Sequence, residues 1–336
     1  MDPITHGVTG SMAALIFSDD DDKKRTASVG FGAALLADIE AFIQWPGDPL
    51  FNLEIHRQFT HSIIFIPFGA LLAAGLFWLV FRKHFAFSRL YFFSVAGYST
   101  HWFMDLITSY GTELLWPFID TRFALNIVSV VDPVITVGLL AFTSLALFKS
   151  RARYLPLSWL WLTLFLLLGW MQNNRAESAM TDLAADRGHE IENAVVKPTI
   201  GNQLLWRATY ISRDTVFTDG IRTGILSGID VYAGEAEPLV VVEDDFNSFS
   251  GTTLYNDLIR FSRLSDGFLV RHPGQPEVIG DAAYSMLPTS LVPLWGVEID
   301  TTRPGRHVSF NYYRDTSEEV RNTFTRMLLG REINKN

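Results

Sequence analysis

Nine ionisable side chains lie inside or beside apolar stretches in the first half of the chain. Ionisable residues in such surroundings are costly to bury and usually serve a function. The 336-residue sequence contains no cysteine, so a metal site in this chain has to use imidazole or carboxylate ligands. The nine residues are His6, Asp38, Glu40, His56, Arg57, His61, His101, Asp105 and Asp132.

The histidine spacings predict a shared metal site. His101 and Asp105 are four residues apart, so on a helix they lie on one face. This spacing lets an imidazole and a carboxylate bind one metal ion, and the alternative is that the pair only holds two helices together. His56 and His61 are five residues apart, which suits a loop or the start of a helix.

The function of each remaining candidate has more than one interpretation. Asp38 and Glu40 point about 200° apart on a regular helix, so we expect only one of them to bind metal directly. Asp132 precedes a proline and is either part of the site or the N-cap of a helix. His6 is either a ligand or an idle residue near the terminus. Arg57 either holds an anion or anchors the chain at the membrane interface.

These residues must be positioned by six apolar stretches. Charged residues make up only 19% of the chain, against about 25% in soluble domains. A membrane-crossing helix needs about 20 residues, and 63–81 and 155–172 contain no charge. We therefore predict an α-helical polytopic membrane domain of about six apolar helices over residues 1–172, in preference to a soluble helical protein. The stretches are 3–18, 27–45, 62–81, 89–108, 127–148 and 156–172.

Basic residues predict the orientation of these helices. The loops 19–26, 82–89 and 149–155 contain nine Lys and Arg residues, whereas the loops on the other side contain Arg57 and Arg122. The basic loops are expected in the cytoplasm. All nine candidate site residues then fall at the opposite, outer face of the membrane.

The second half, residues 173–336, reads as a soluble α+β domain. It carries seven of the nine net negative charges. A charged, helix-like opening precedes short β-like runs such as Leu204–Ile211 and Leu239–Val242, and Glu318–Arg331 has an amphipathic helical pattern. We predict a β-rich domain with terminal helices, and six preceding spans would place it outside the cytoplasm.

Several motifs around the candidate residues carry a family resemblance. The chain resembles the bacterial inner-membrane metal-dependent hydrolase family, the YdjM-like, LexA-regulated group. The resemblance is close over about residues 1–148 and weaker at 202–207; the family usually has Pro-Asp-x-Asp where this chain has Ala-Asp-Ile-Glu. The motifs are Met1–His6 (MDPITH), Ala37–Glu40 (ADIE), His56–Ser62 (HRQFTHS), His101–Asp105 (HWFMD) and Thr108–Thr112 (TSYGT).

That family is remotely similar to zinc-dependent phospholipase C. A nitrogen and oxygen ligand set suits zinc or manganese, and we expect one or two divalent ions. Later ligands of the phospholipase have no match, because no histidine follows until His189. The implied metal ligands are His6, Asp38, His56 or His61, His101 and Asp105.

We therefore expect a membrane-bound metal-dependent hydrolase that acts at the outer membrane face on a phosphoester such as a phospholipid. Asp38 would bridge the metals and Arg57 would hold a phosphate oxygen, both as catalytic residues. Membrane lipids are expected partners, nucleic acid is not, and protein partners stay open. The alternative is a metal-stabilised scaffold or transport-associated protein without activity. A transporter is disfavoured, because no polar residues in the predicted helices mark a path to the cytoplasmic side. Around the site we expect Glu40, Thr60, Ser109, Tyr110 and Asp132.

Overall fold

Helices fill the first half of the chain and strands dominate the second. The computed structural model describes residues 1–225 and 227–333. Within these residues the α-helices are α1 Pro3–Leu15, α2 Lys23–Leu35, α3 Phe51–Ile55, α4 Ile66–Phe81, α5 Phe87–Leu106, α6 Pro133–Phe148, α7 Arg151–Asp186, α8 Val242–Asp245, α9 Thr253–Leu264 and α10 Glu318–Leu328. The same residues include the 3-10 helices Leu36–Phe42, Phe59–His61, Ile63–Phe65 and Asn247–Phe249.

The chain divides into two compact units. The helical unit contains Met1–Ile43, Ile55–Trp170 and Ile200–Asn202. The C-terminal unit contains Gln44–Glu54, Met171–Thr199 and the described residues from Gln203 onward. The eleven-residue segment from Gln44 to Glu54 therefore belongs to the C-terminal unit, although both of its flanks belong to the helical unit.

Two helices are long and apolar enough to cross a membrane within the described residues: Ile63–Phe81, which includes a preceding 3-10 turn, and Arg151–Asp186. Each predicted apolar stretch does contain a helix. However, α1 and α2 have 13 residues each, about 20 Å at 1.5 Å per residue, against a hydrocarbon core of about 30 Å. The helical half is confirmed, while the number of spans stays a prediction.

Three helices of the helical unit approach one another closely at glycines. A Cβ atom added at Gly10 of α1 would lie 2.4 Å from the carbonyl oxygen of Gly30 in α2. One added at Gly97 of α5 would lie 2.5 Å from the same oxygen. Small residues at helix contacts let backbones pack closely. This contact brings together the helices that carry His6 and His101 and the helix that leads to Asp38.

The C-terminal unit contains two antiparallel four-stranded sheets among the described residues, each with its strands in sequence order. Helix α7 changes character at its end, where Ala176, Met180 and Ala184 pack with Trp206 and Tyr210 of the first sheet. The α+β prediction is confirmed in this coarse form, but Leu239–Val242 is not a strand: it forms an isolated bridge between Leu239 and Val270, and Val242 begins α8. The strands are β1 Asn193–Pro198, β2 Leu205–Ser212, β3 Thr215–Thr223, β4 Ile229–Pro238, β5 Leu269–His272, β6 Gln275–Asp281, β7 Trp295–Glu298 and β8 Ser309–Tyr312.

Candidate metal centre

Four of the predicted residues converge inside the helical unit. Asp38, His61, His101 and Asp105 each offer one ligand atom, and these four atoms lie within 4.8 Å of one another. His61, His101 and Asp105 are buried, whereas the side chain of Asp38 is 31% exposed. The group therefore has one member that faces the surface.

The separations between the ligand atoms are close to the edge lengths of a metal coordination polyhedron. The Nε2 atom of His61 lies 3.1 Å from Asp105 Oδ2 and 3.6 Å from Asp38 Oδ1. The Nε2 atom of His101 lies 3.4 Å from each of the same two oxygens. Ligand atoms about 2.0–2.2 Å from a tetrahedral zinc ion lie about 3.3–3.6 Å from one another. Three of the separations lie in this range, whereas the 3.1 Å separation and the 2.9 Å between the two Nε2 atoms are shorter. The four side chains thus fit a divalent ion at their centre.

Hydrogen bonds on the far side of each imidazole fix its tautomer. The Nδ1 atom of His101 lies 2.6 Å from the backbone oxygen of Ala34, which can only accept, so Nδ1 carries the proton. The Nδ1 atom of His61 lies 3.1 Å from Glu40 Oε1 and donates to that carboxylate. Both Nε2 lone pairs are therefore directed at the centre of the cluster, as in other metal sites where a second group orients the ligand.

One polar atom of the cluster supports the same conclusion. Asp105 Oδ2 is buried and has no hydrogen-bond partner among the described residues, although it lies 3.1 Å from His61 Nε2. Buried polar atoms almost always find a partner, and a bound cation would supply one here. Two carboxylates and two neutral imidazoles give the ligand set two negative charges, although Arg57 already pairs with Asp105 Oδ1 at 3.2 Å.

A 3-10 helix places Asp38 and Glu40 on opposite sides of His61. The α2 helix ends at Leu35 and the chain continues as the 3-10 helix Leu36–Phe42. With three residues per turn, residues two apart project in different directions. Asp38 Oδ1 lies 3.6 Å from His61 Nε2, whereas Glu40 Oε1 lies 3.1 Å from His61 Nδ1. Glu40 thus supports the ligand rather than joining the four-residue group.

Glu40 also holds the backbone around Arg57. The fully buried carboxylate accepts from the backbone N–H of Arg57 and from the hydroxyl of Thr60. Arg57 has a φ of 64°, a left-handed conformation that is uncommon for residues other than glycine. Its carbonyl oxygen accepts from the backbone N–H of Glu113 at 3.0 Å, so both of its peptide groups are tied in place.

The guanidinium of Arg57 lies at the edge of the cluster. Its Nη2 is 3.2 Å from Asp105 Oδ1, its Nη1 donates to the hydroxyl of Thr108 at 3.1 Å, and the group stacks 4.9 Å from the ring centre of Tyr110. Its Nε is buried without a hydrogen-bond partner in the described part of the chain. Arg57 thus combines a fixed position with an unused donor.

His6 lies beside the cluster. Its ring stacks on that of His101 with centres 3.7 Å apart, and its Nε2 is 3.1 Å from Asp105 Oδ1. The amino group of Met1 contacts the same oxygen. The two oxygens of Asp105 are therefore divided, with Oδ1 facing His6, Arg57 and Met1 and Oδ2 facing His61 and His101. His6 as a metal ligand stays a prediction.

The other predicted residues lie outside the four-residue group. His56 Nδ1 is 3.7 Å from Glu40 Oε1, and the His56 ring is 5.7 Å from that of Tyr110. Ser109 is buried in the same loop. Asp132 caps α6, since its Oδ1 accepts from the backbone N–H of Val134 at 2.9 Å. The cap alternative therefore accounts for Asp132.

Sequence reasoning missed two contributors to the site. The carbonyl of Ala34 orients His101, but a backbone oxygen has no residue-type signal. Thr108 holds Arg57 and lies three residues after Asp105, where its hydroxyl also donates to the Asp105 carbonyl at 2.8 Å. The sequence could have indicated Thr108 only by its position after α5, one turn beyond the candidate ligand Asp105.

Comparison with known proteins identifies the family. The family described as YdjM inner membrane protein matches residues 1–176, about half of the chain. The chain belongs to the YdjM inner membrane protein family. The family match contains all four residues of the candidate metal centre and places the protein in a membrane. A similarity to zinc-dependent phospholipase C is not among the matches found.

The comparisons with curated proteins and with solved structures give less information than the family match. The chain is 24% identical over 164 residues to a Bacillus subtilis (strain 168) protein called uncharacterized protein YfhP. This alignment covers 48% of the chain and 49% of the relative, so the chain spans about half the length of that protein. No solved structure matches.

Proposed function

We propose that this YdjM-family protein is a metal-dependent hydrolase of the inner membrane that acts on a phosphoester at the outer face. The observation that carries the proposal is the pair of imidazoles whose Nε2 atoms face one another at 2.9 Å between two carboxylates. A divalent ion held there would lower the pKa of a water molecule to about 7 and make hydroxide available at neutral pH.

Access to the cluster favours catalysis over a purely structural ion. Asp38 is 31% exposed, so reactants can reach the ion on its side. Zinc with four protein ligands fills a tetrahedral site, whereas manganese is six-coordinate and leaves two positions free. We therefore propose manganese or a zinc ion of expanded coordination. A second ion, if one binds, would be held by His6 and Asp105.

Residues around the cluster suit an anionic lipid substrate. Arg57 supplies a permanent positive charge and planar donors that fit phosphate oxygens. On the 3-10 helix that carries Asp38, Ile39 is 47% and Phe42 85% exposed. Exposed apolar side chains beside the site suit contact with acyl chains. We propose a phospholipid or another lipid phosphoester as the substrate, with the C-terminal unit outside the cytoplasm.

A scaffold function is the second candidate. Four protein ligands saturate a tetrahedral zinc ion, and closed sites of this kind are structural. In that case the ion would pin α5 to the segment around His61, and the protein would turn over no substrate.

Hydrolysis assays on the purified full-length protein separate the two candidates. The panel is phosphodiesters, phosphomonoesters and phospholipid vesicles, each with Zn²⁺ and Mn²⁺. We expect turnover of at least one phosphoester, a loss of about 100-fold or more in Asp38→Asn, and no loss in His84→Ala, which alters an exposed histidine outside the cluster. A metal-loaded protein that is inactive across the whole panel would support the scaffold instead.

A further inference from the structure

We infer that Arg260 of the C-terminal unit is a positioning residue for the metal centre, and this inference rests on the metal binding proposed above. Arg260 lies on α9, more than 150 residues after the last ligand in sequence. It acts on the segment Gln44–Glu54, which connects Asp38 to His61. We refer to this segment as the clamped segment.

The clamped segment separates the two halves of the ligand set. Asp38 and Glu40 precede it, while Arg57 and His61 follow it. The segment itself belongs to the C-terminal unit, so the chain leaves the helical unit after Ile43 and returns at Ile55. The conformation of the segment therefore limits where the residues that flank it on both sides can be placed.

Arg260 binds the clamped segment at two points. Its guanidinium donates to Asp48 at 2.8 and 3.1 Å and to Glu54 at 2.6 and 2.7 Å. Both contacts are bidentate, which is the strong and directional geometry for an arginine and a carboxylate. Between them Leu50 is fully buried in an apolar cluster with Leu258 and Phe261 of α9.

The guanidinium is itself held by a buried carboxylate. Arg260 donates to Asp257, one turn earlier on α9, at 3.0 Å. Asp257 is 1% exposed and also accepts from His307 Nδ1 at 2.8 Å and from the backbone N–H of Val308 at 3.1 Å. Removal of the guanidinium would leave three neighbouring carboxylates without their shared cation. The charge repulsion would displace the segment, whose two acidic side chains are the more exposed of the three.

Glu40 shows why the clamp matters for the ligands. It contacts Arg57 and Thr60, which lie 17 and 20 residues later on the far side of the clamped segment, and so closes a loop around that segment. If the middle of that loop is fixed, only a few residues on each side stay free. The entropic cost of bringing Asp38 and His61 to one ion falls accordingly, which corresponds to a gain in metal affinity of about ten-fold.

The test compares metal affinity in Arg260→Ala with that in Arg187→Ala. Arg187 makes a bidentate pair with the buried Asp219 at 2.6 and 2.8 Å in the same unit but does not contact the clamped segment, so its loss is a matched perturbation. Dissociation constants for Mn²⁺ and Zn²⁺ are measured by indicator competition on the full-length protein, with thermal unfolding recorded in parallel. We expect about ten-fold weaker binding in Arg260→Ala, wild-type affinity in Arg187→Ala, and an intermediate value in Arg260→Lys.

Each outcome has a distinct meaning. Unchanged affinity in Arg260→Ala, with metal bound by the wild type, would overturn the clamp and leave the metal centre intact. Equal weakening in Arg187→Ala would overturn it too, because general loss of stability would then explain the effect. If Arg260→Ala does not fold, Arg260→Lys carries the comparison, and wild-type affinity there would contradict the inference. A wild type without metal affinity would overturn the metal centre and the clamp together.

Discussion

The Nε2 atoms of His61 and His101 lie 2.9 Å apart, and each ring has its Nδ1 proton committed to an acceptor on the opposite side. Two lone pairs that face one another at this distance repel unless the two nitrogens share a proton or bind a common metal ion. Asp38 and Asp105 add negative charge on two further sides. This relationship between two histidines from separate elements is the basis for the metal centre.

Glu40 orients His61, so weakening this carboxylate should weaken metal binding without abolishing it. In Glu40→Gln the amide oxygen can still accept a hydrogen bond from His61 Nδ1, but the negative charge of the carboxylate is lost. We expect about ten-fold lower affinity for Mn²⁺ or Zn²⁺, since groups that orient a ligand contribute about ten- to 100-fold. Glu113→Gln changes another buried glutamate of the helical unit outside the four-residue group and serves as the control. Equal affinity in wild type and Glu40→Gln would exclude this supporting function.

Arg57→Lys tests the proposed phosphate contact. Lysine keeps the positive charge but loses the planar pair of donors. Metal occupancy should stay near the wild-type level, because a guanidinium is not a metal ligand. Phosphoester hydrolysis should fall by about ten-fold or more, equivalent to about 1.4 kcal/mol. Full activity in Arg57→Lys would reject this function of Arg57 while leaving the hydrolase proposal in place.

Reporter fusions test the orientation of the membrane helices. Nine basic residues in the loops 19–26, 82–89 and 149–155 predict that those loops are cytoplasmic. A reporter fused after Lys83 should therefore report a cytoplasmic location, and a reporter fused after Gln172 should report a location outside the cytoplasm. The reverse pattern would place the metal centre at the cytoplasmic face and contradict the proposed access from the outer side.

Asp281 should make the stability of the C-terminal unit depend on pH. Burial raises the pKa of Asp281 to about 6, and burial likewise lowers the pKa of the neighbouring Lys197 to about 8. Because the folded-state pKa of Asp281 lies above that of the unfolded chain, its contribution to stability is complete below about pH 4 and is lost as the pH rises through 6. Lys197 has the opposite sign, and its contribution is lost as the pH falls through 8.

The variant Asp281→Asn isolates the first of these contributions. Its amide oxygen can still accept from the backbone N–H of Ala283, as Asp281 does at 2.9 Å. From pH 4 to pH 7 the wild type should lose stability relative to this variant, by about 3 kcal/mol at most. Thermal unfolding of both proteins across this range measures the difference. A difference that is constant with pH would show that Asp281 has the same pKa in the folded and unfolded chain.

The sequence could predict the ligand types because the metal chemistry constrains them. Without cysteine, buried histidines and carboxylates were the available ligands, and the four-residue spacing of His101 and Asp105 already placed both on one helix face. Asp132 could in principle be distinguished from the metal ligands, because a proline at the next position is typical of a helix start. These features are local, so a single sequence was sufficient to identify them.

The rest depends on contacts between residues distant in sequence. The close approach at Gly30 allows short helices to pack around the site, but a glycine in a helix does not reveal its neighbour. That Asp38 and Glu40 point in different directions was expected from a regular helix, but the 3-10 conformation of Leu36–Phe42, which fixes the direction of each side chain, was not. The clamped segment was assigned to the first half of the chain because of its position in sequence, whereas Leu50 packs among residues near 258.

Metal content tests the central claim most directly. The purified full-length protein, its His101→Ala and Asp105→Ala variants, and the His84→Ala control are analysed for divalent metals by mass spectrometry after exchange into metal-free buffer. We expect at least one Mn²⁺ or Zn²⁺ ion per chain in the wild type and the control, and the loss of most of it in both cluster variants. Chelation should also lower the thermal stability of the wild type, because a bound ion stabilises the folded state. Equal metal content in all four proteins, or none in the wild type, would contradict a metal centre formed by these residues.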